Sequence, residues 1–305
     1  MIASVPVTAP DVRARKGSEP PLVMVTAYDA PSARVVDGAG VDMILVGDSV
    51  AMVVLGYEDT LSVTTDDMAH HVAAVARAKP KALVVGDLPW LSYHVSRDDT
   101  VRNAAALVRA GAGAVKLEGG RKRLEAVHAI LDAEIPVMGH IGLTPQSIHA
   151  MGGFKVQGKR LDAAKVLVDD AVALAEAGCF AVVLECVPDG VARMITDSVD
   201  VPTIGIGAGR HVDGQVLVYH DLLGFAQPGR KAPKFVRRYA DIEEQSTAAV
   251  ARFVADVHEG RFPSSGETYH MTDQMADAFG PSGAASTEGD KTLAEAPVPP
   301  QLPVT

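Results

Sequence analysis

The sequence predicts an α/β protein: a single (β/α)8 TIM barrel followed by a disordered C-terminal tail. Three observations carry this. Eight short apolar runs alternate with longer stretches of helical periodicity. The short runs are apolar at successive positions, which suits strands of a parallel sheet covered on both faces. Five consecutive runs, the second to the sixth, finish on an ionisable side chain, where active sites of such barrels form. A doubly wound sheet is the alternative, but it usually has fewer repeats and no chemistry at every strand end.

Taken in order, residues 1–20 read as an N-terminal arm and 21–262 as the barrel with a C-terminal helix. Residues 263–305 read as an extension, disordered from about residue 279. The predicted strands are 22–28, 43–47, 82–86, 114–117, 137–139, 181–184, 203–206 and 216–219. Predicted helices occupy 30–39, 65–78, 98–111, 121–133, 162–178 and 189–198, with a further one over 241–259. Gly111 and Gly178 stand where left-handed C-terminal caps are needed. The connection after the seventh strand lacks a helical signal. From Phe279 onward the chain is rich in Pro, Gly, Ser and Ala, with no later aromatic, a composition unable to offset its ordering entropy.

The 305 residues are 48% hydrophobic and 22% charged, ordinary for a globular chain. A net charge of −10 argues against nonspecific nucleic-acid binding. The apolar run over 40–56 is broken by Asp42 and Asp48, so no stretch reads as a membrane span. The first sixteen residues lack the continuous apolar core of a secretory signal. Cys179 and Cys186 flank a predicted strand, too far apart to bridge, and read as small core hydrophobes. The expected location is the reducing cytoplasm.

The strand ends carry the chemistry. They read Gly47-Asp48-Ser49, Gly86-Asp87, Lys116-Leu117-Glu118, Gly139-His140 and Leu184-Glu185-Cys186. Asp48, Asp87 and Glu118 are hard oxygen donors suited to Mg²⁺. Any one of these acids could instead cap the following helix; three at successive strand ends, beside Lys116 and Glu185, favour a site. His140 fits a general acid or base, a hydrogen-bonding positioner, or a buried, satisfied histidine. Glu185 sits in an apolar strand, which raises a carboxylate towards a useful base, or it pairs with a buried cation.

Weaker patterns carry less. Gly153 to Lys159 matches GxxxxGK, but Arg160 replaces the required Ser or Thr and no strand leads in. Gly205, Gly207 and Gly209 lack the third glycine of a dinucleotide fingerprint and fit either a close-approach loop or a tight turn. Asp66, Asp67, His70 and His71 resemble metal ligands, yet Thr64-Thr65 before them reads as a helix start with acids in its first turn.

Together, the segments TAYDAPSA, LVGDSVAMVVLGYEDTLSVT, GDLPW, VKLEGG, GHIGLTPQS, GGFKVQGK, LECVP, IGIGAG and DGQVLVYHDLLG resemble the ketopantoate hydroxymethyltransferase family, in family order from about Leu22 to Arg261. The tail after about Tyr269 departs from it. The resemblance implies a Mg²⁺-dependent enzyme of pantothenate and coenzyme A biosynthesis. Such an enzyme transfers a one-carbon unit from 5,10-methylenetetrahydrofolate to 3-methyl-2-oxobutanoate, giving 2-dehydropantoate and tetrahydrofolate. By the same resemblance, Asp48 and Asp87 correspond to metal ligands and Glu118 to the third metal-associated position. Asp48, Ser49, Asp87 and Lys116 correspond to oxo-acid-binding positions, Glu185 to the proton acceptor, and His140 to a pocket histidine. It also implies a homo-oligomer, commonly a decamer. Two alternatives stand beside it: a carbon–carbon lyase or mutase of the phosphoenolpyruvate mutase and isocitrate lyase type, and a non-catalytic barrel.

Overall fold

Side chains along a strand alternate between its two faces, and here both faces are apolar. The computed structural model describes residues 6–225 and 232–279 and shows why. Eight parallel strands form a closed barrel in sequence order: β1 (Leu22–Thr26), β2 (Met43–Val46), β3 (Leu83–Asp87), β4 (Ala114–Glu118), β5 (Val137–Gly142), β6 (Ala181–Glu185), β7 (Thr203–Ile206) and β8 (Gly214–Leu217). One set of alternate residues, including Leu22, Met24, Met43, Leu45, Val85, Met138, Val183 and Ile204, fills the barrel interior. The other set, including Val25, Ile44, Val84, Val115, Leu117 and Leu184, packs against the surrounding helices. Burial of both sets excludes the one-sided alternation of a half-exposed sheet.

The described residues fall into two compact units, one ending at Gln245 and the other beginning at Ser246. The barrel lies wholly in the first. In the second, the rings of Phe253 and Phe262 meet edge to face at 5.1 Å, and a short helix spans Asp273–Phe279. The helix Ile242–His258 crosses the boundary and matches the expected 241–259 within one residue at either end. The tail expected to be disordered lies almost entirely outside the described residues.

Local chemistry sets the helix limits. Thr64 and Asp67 form a reciprocal capping box at the start of Thr65–Ala76, so the first-turn acids serve the helix as expected. Gly111 takes φ 114° at the end of Arg97–Ala110, and Gly178 takes φ 106° after Leu161–Glu176. Between β7 and β8 no helix forms among the described residues. Within the expected helix 121–133, the first turn is a 3₁₀ turn, Arg121–Arg123, and the α-helix is Leu124–Asp132.

The arm contains an element the sequence reading missed: the helix Ala9–Arg13, with a capping box between Thr8 and Asp11. Its Ala9 and Val12 are buried and join the barrel's interior cluster. Beside it, at the N-terminal ends of β7 and β8, Asp213 accepts from Lys16 Nζ at 2.9 Å, the Gly17 amide at 2.8 Å and the Thr203 amide at 2.8 Å. Both cysteines are free. Cys179 is core, but Cys186 is not: it is partly exposed, has φ 49°, and lines the cavity at the other end of the barrel. The chain turns sharply out of β6 there, so the residue cannot continue into the core.

Candidate active site

The barrel register determines which strand-end side chains meet. Asp87 lies level with Lys116 across β3–β4, and Glu118 with His140 across β4–β5. Asp87, Lys116, His140 and Glu185 continue the inward-facing series above Val85, Ala114, Met138 and Val183. Asp48 and Ser49 follow β2 in the next turn. All seven predicted site residues, Asp48, Ser49, Asp87, Lys116, Glu118, His140 and Glu185, therefore line one cavity of about 690 Å³ at the C-terminal end of the barrel. Its outer wall includes Phe154, Val156, Phe225 and Phe235.

The polar floor is tightly connected. Lys116 Nζ lies 2.9 Å from Asp87 Oδ1 and 3.2 Å from His140 Nδ1. Asp87 Oδ2 accepts from the Asp48 amide at 3.2 Å. His140 Nε2 lies 3.3 Å from Glu185 Oε2, and Nδ1 3.6 Å from Glu118 Oε1. Tyr28 Oη and Ser49 Oγ share a hydrogen bond of 2.8 Å. Asp48 caps no helix: the following helix, Val50–Val53, has Ser49 as its N-cap, with no side-chain cap hydrogen bond.

Sequence reasoning did not single out Gln146, which joins two of these acids. Its Nε2 donates to Asp48 Oδ2 and to the Leu88 carbonyl, each at 2.9 Å, and its amide donates to Glu118 Oε2 at 3.0 Å. Tyr93 Oη in turn donates to Gln146 Oε1 at 2.5 Å. Only the TPQ within GHIGLTPQS marked it. Gly207 takes φ 66°, and a Cβ there would come within 2.7 Å of the Phe235 ring. The glycine-rich turn is therefore a close-approach loop at the cavity wall. Gly153 to Lys159 follows a short helix rather than a strand, and its Phe154, Lys155 and Val156 line the cavity.

Four carboxylates share this buried region with one ammonium. Burial, then the Asp87 charge, pushes Asp48 up to about 7. Burial and the Asp48 charge push Glu118 well above its usual range. Burial alone dominates at Glu185, raising it to about 7 although 17% of its side chain remains open to solvent. For Lys116, burial disfavours the charge, but Asp87, Glu118 and Asp48 outweigh it and hold the group protonated. Burial and Lys116 hold His140 far below its usual value, so it is neutral. The site holds more carboxyls than Lys116 can balance as anions, so without a further cation some of them carry protons.

The family model described as ketopantoate hydroxymethyltransferase matches residues 6–265. The chain belongs to that family. It is accordingly an enzyme, a hydroxymethyltransferase. The 3-methyl-2-oxobutanoate hydroxymethyltransferase of Syntrophomonas wolfei is 53% identical over 272 residues, covering 89% of this chain and 98% of its own. The protein of the same name from Ignicoccus hospitalis is 55% identical over 260 residues, covering 85% and 98%. Among solved structures, a putative phosphonomutase from Burkholderia cenocepacia superposes with a TM-score of 0.57 at 15% identity, covering 82% of this chain and 99% of its own. That likeness shows the barrel alone. No helix among the described residues of this hydroxymethyltransferase is long and apolar enough to cross a membrane.

Proposed function

We propose that the enzyme uses Mg²⁺ to transfer a one-carbon unit from 5,10-methylenetetrahydrofolate to 3-methyl-2-oxobutanoate, consuming water and giving 2-dehydropantoate and tetrahydrofolate. The surplus of buried carboxylates over the single Lys116 ammonium carries this reading. No group of three His, Cys, Asp or Glu among the described residues forms a ready-made metal cage. Mg²⁺ does not require one, because it binds through one or two carboxylates, substrate oxygens and water. Asp48 and Asp87 would hold it, with Glu118 beside them. When bound, the metal supplies Lewis acidity towards the keto and carboxylate oxygens of a 2-oxo acid.

The chain's own groups supply the rest. Lys116 offsets the substrate carboxylate, and Ser49, oriented by Tyr28, donates a hydrogen bond to it. Glu185 accepts the proton from the carbon beside the keto group. Burial tunes its carboxyl to about 7, where a base is both available and strong enough. The carbon that loses the proton then attacks the one-carbon unit. The aromatic side chains in the cavity's outer wall suit the flat rings of a folate. The reading extends to a homo-oligomer, a decamer by family resemblance, in a reducing cytoplasm.

The decisive experiment incubates the purified chain with the oxo acid, methylenetetrahydrofolate and Mg²⁺ and looks for 2-dehydropantoate. Cleavage or rearrangement of the oxo acid without folate turnover would instead favour a lyase or mutase. Binding without turnover would favour a non-catalytic barrel.

A further inference from the structure

His140 has three roles open to it in sequence, and its surroundings select one. An ammonium carries no lone pair, so the 3.2 Å contact between Lys116 Nζ and His140 Nδ1 requires Nδ1 to be the acceptor. A neutral imidazole with an unprotonated Nδ1 carries its hydrogen on Nε2. That Nε2 is buried and has no hydrogen-bond partner in the structure, although Glu185 Oε2 lies within reach at 3.3 Å, off the N–H direction. The other groups facing the ring are Glu118, 3.6 Å from Nδ1, the Asp87 charge, and a backbone acceptor of Leu143. Of these only Glu118, held well above its usual range, can carry a proton, and it lies farther from Nδ1 than Lys116 does.

We propose that His140 is a positioning residue: Lys116 fixes it in the Nε2–H tautomer, and a small turn of the ring brings that otherwise unpartnered N–H onto Oε2 of Glu185, leaving Oε1 to take the substrate's proton. His140 is then neither acid nor base. One nitrogen is occupied by an ammonium and the other already carries a hydrogen. Donation to an anionic oxygen also favours the ionised Glu185 that a base must be. The chain of contacts runs Asp87, Lys116, His140, Glu185, so the same lysine that faces the substrate carboxylate also orders the base. This rests on the reading of Glu185 as the base, and the test separates the two.

The readout is exchange of the hydrogen beside the keto group of 3-methyl-2-oxobutanoate into D₂O, with Mg²⁺ and no folate, together with nitrogen NMR of ¹⁵N-histidine-labelled enzyme. The His140 signals are assigned by their loss in His140→Ala. The spectrum should show a pyridine-type Nδ1 and a pyrrole-type Nε2. His140→Ala should slow exchange about 10–100-fold, the loss of one hydrogen bond to a charged group, with oxo-acid affinity retained. His140→Gln keeps an N–H near the Nε2 position and should recover most of that loss. A proton on Nδ1, or a Gln variant as slow as the Ala variant, overturns the proposal. If Glu185→Gln exchanges at the parental rate, the base assignment itself fails, and the proposal falls with it for a separate, recognisable reason.

Discussion

The two ends of the barrel each bury an acid beside a lysine, and they treat it in opposite ways. At the N-terminal end, burial works against the charge of Asp213, but donors from Thr203, Lys16 and Gly17 outweigh it and hold its carboxyl below the usual range. At the C-terminal end, burial and the charges of neighbouring carboxylates raise Asp48 to about 7 and Glu118 well above its usual range, against the donors present. Both regions are buried, so burial alone cannot explain the difference. The balance of donors against neighbouring carboxylate charges does. A satisfied acid keeps its charge and holds the fold together, whereas an undersupplied cluster takes up protons.

Each end can be perturbed separately. The largest expected effect is at the site: Glu185→Gln should slow proton exchange from the oxo acid by about 10²–10⁴-fold, with unchanged melting temperature. Exchange at the parental rate would remove Glu185 from the mechanism.

Next comes Asp213→Ala, which strips the acceptor from Lys16, Gly17 and Thr203 and should cost about 3 kcal/mol of stability. Denaturant titration should show that loss while kcat stays near parental. Asp48→Asn should do the reverse: metal-free stability is kept or rises, while the Mg²⁺ needed for half-activity and the oxo-acid KM both rise. Asp87→Asn should raise both as well, and also lose stability because it unpairs the buried Lys116. Unchanged metal titrations in both variants would make these acids structural like Asp213.

A pH series should separate the two ends with a smaller effect. Asp48 and Glu185 rise from usual values of 3.8 and 4.5 to about 7, so the folded chain binds more protons than the unfolded one between those limits. Their contribution to metal-free stability therefore falls as pH rises from about 4 to about 7. Asp213 is lowered, so its contribution is full above 3.8 and is lost as pH falls through its lower folded value. Melting curves with chelator should show both slopes, and Mg²⁺ should flatten only the first. A Mg²⁺-independent slope would argue against a cation at the acids.

The smallest effect should come from deleting residues 280–305, whose composition offers little apolar surface to bury. Melting temperature and turnover should barely move; a large change in either would mean that the segment docks.

Most of the strands and long helices were legible because each is set by local pattern: apolar runs of strand length, Thr64 and Asp67 forming a cap, and Gly111 ending a helix. The missed helix Ala9–Arg13 also had local signals, in Thr8, Pro10 and Asp11, but five residues are too few to show periodicity. Cys186 was misplaced because its composition matches a core residue, whereas its φ of 49° places it on the cavity wall.

By itself the sequence determined the eight-stranded barrel and the acid, lysine and histidine positions at its strand ends. Strand period and end chemistry are properties of adjacent residues. The tertiary structure alone decided which of those side chains face each other. Register across the closed barrel set Asp87 against Lys116 and Glu118 against His140. It also brought Gln146 to Asp48, 98 residues away in sequence, and left the acids short of donors. Such pairings depend on how strands close into a ring, and no local pattern encodes that closure.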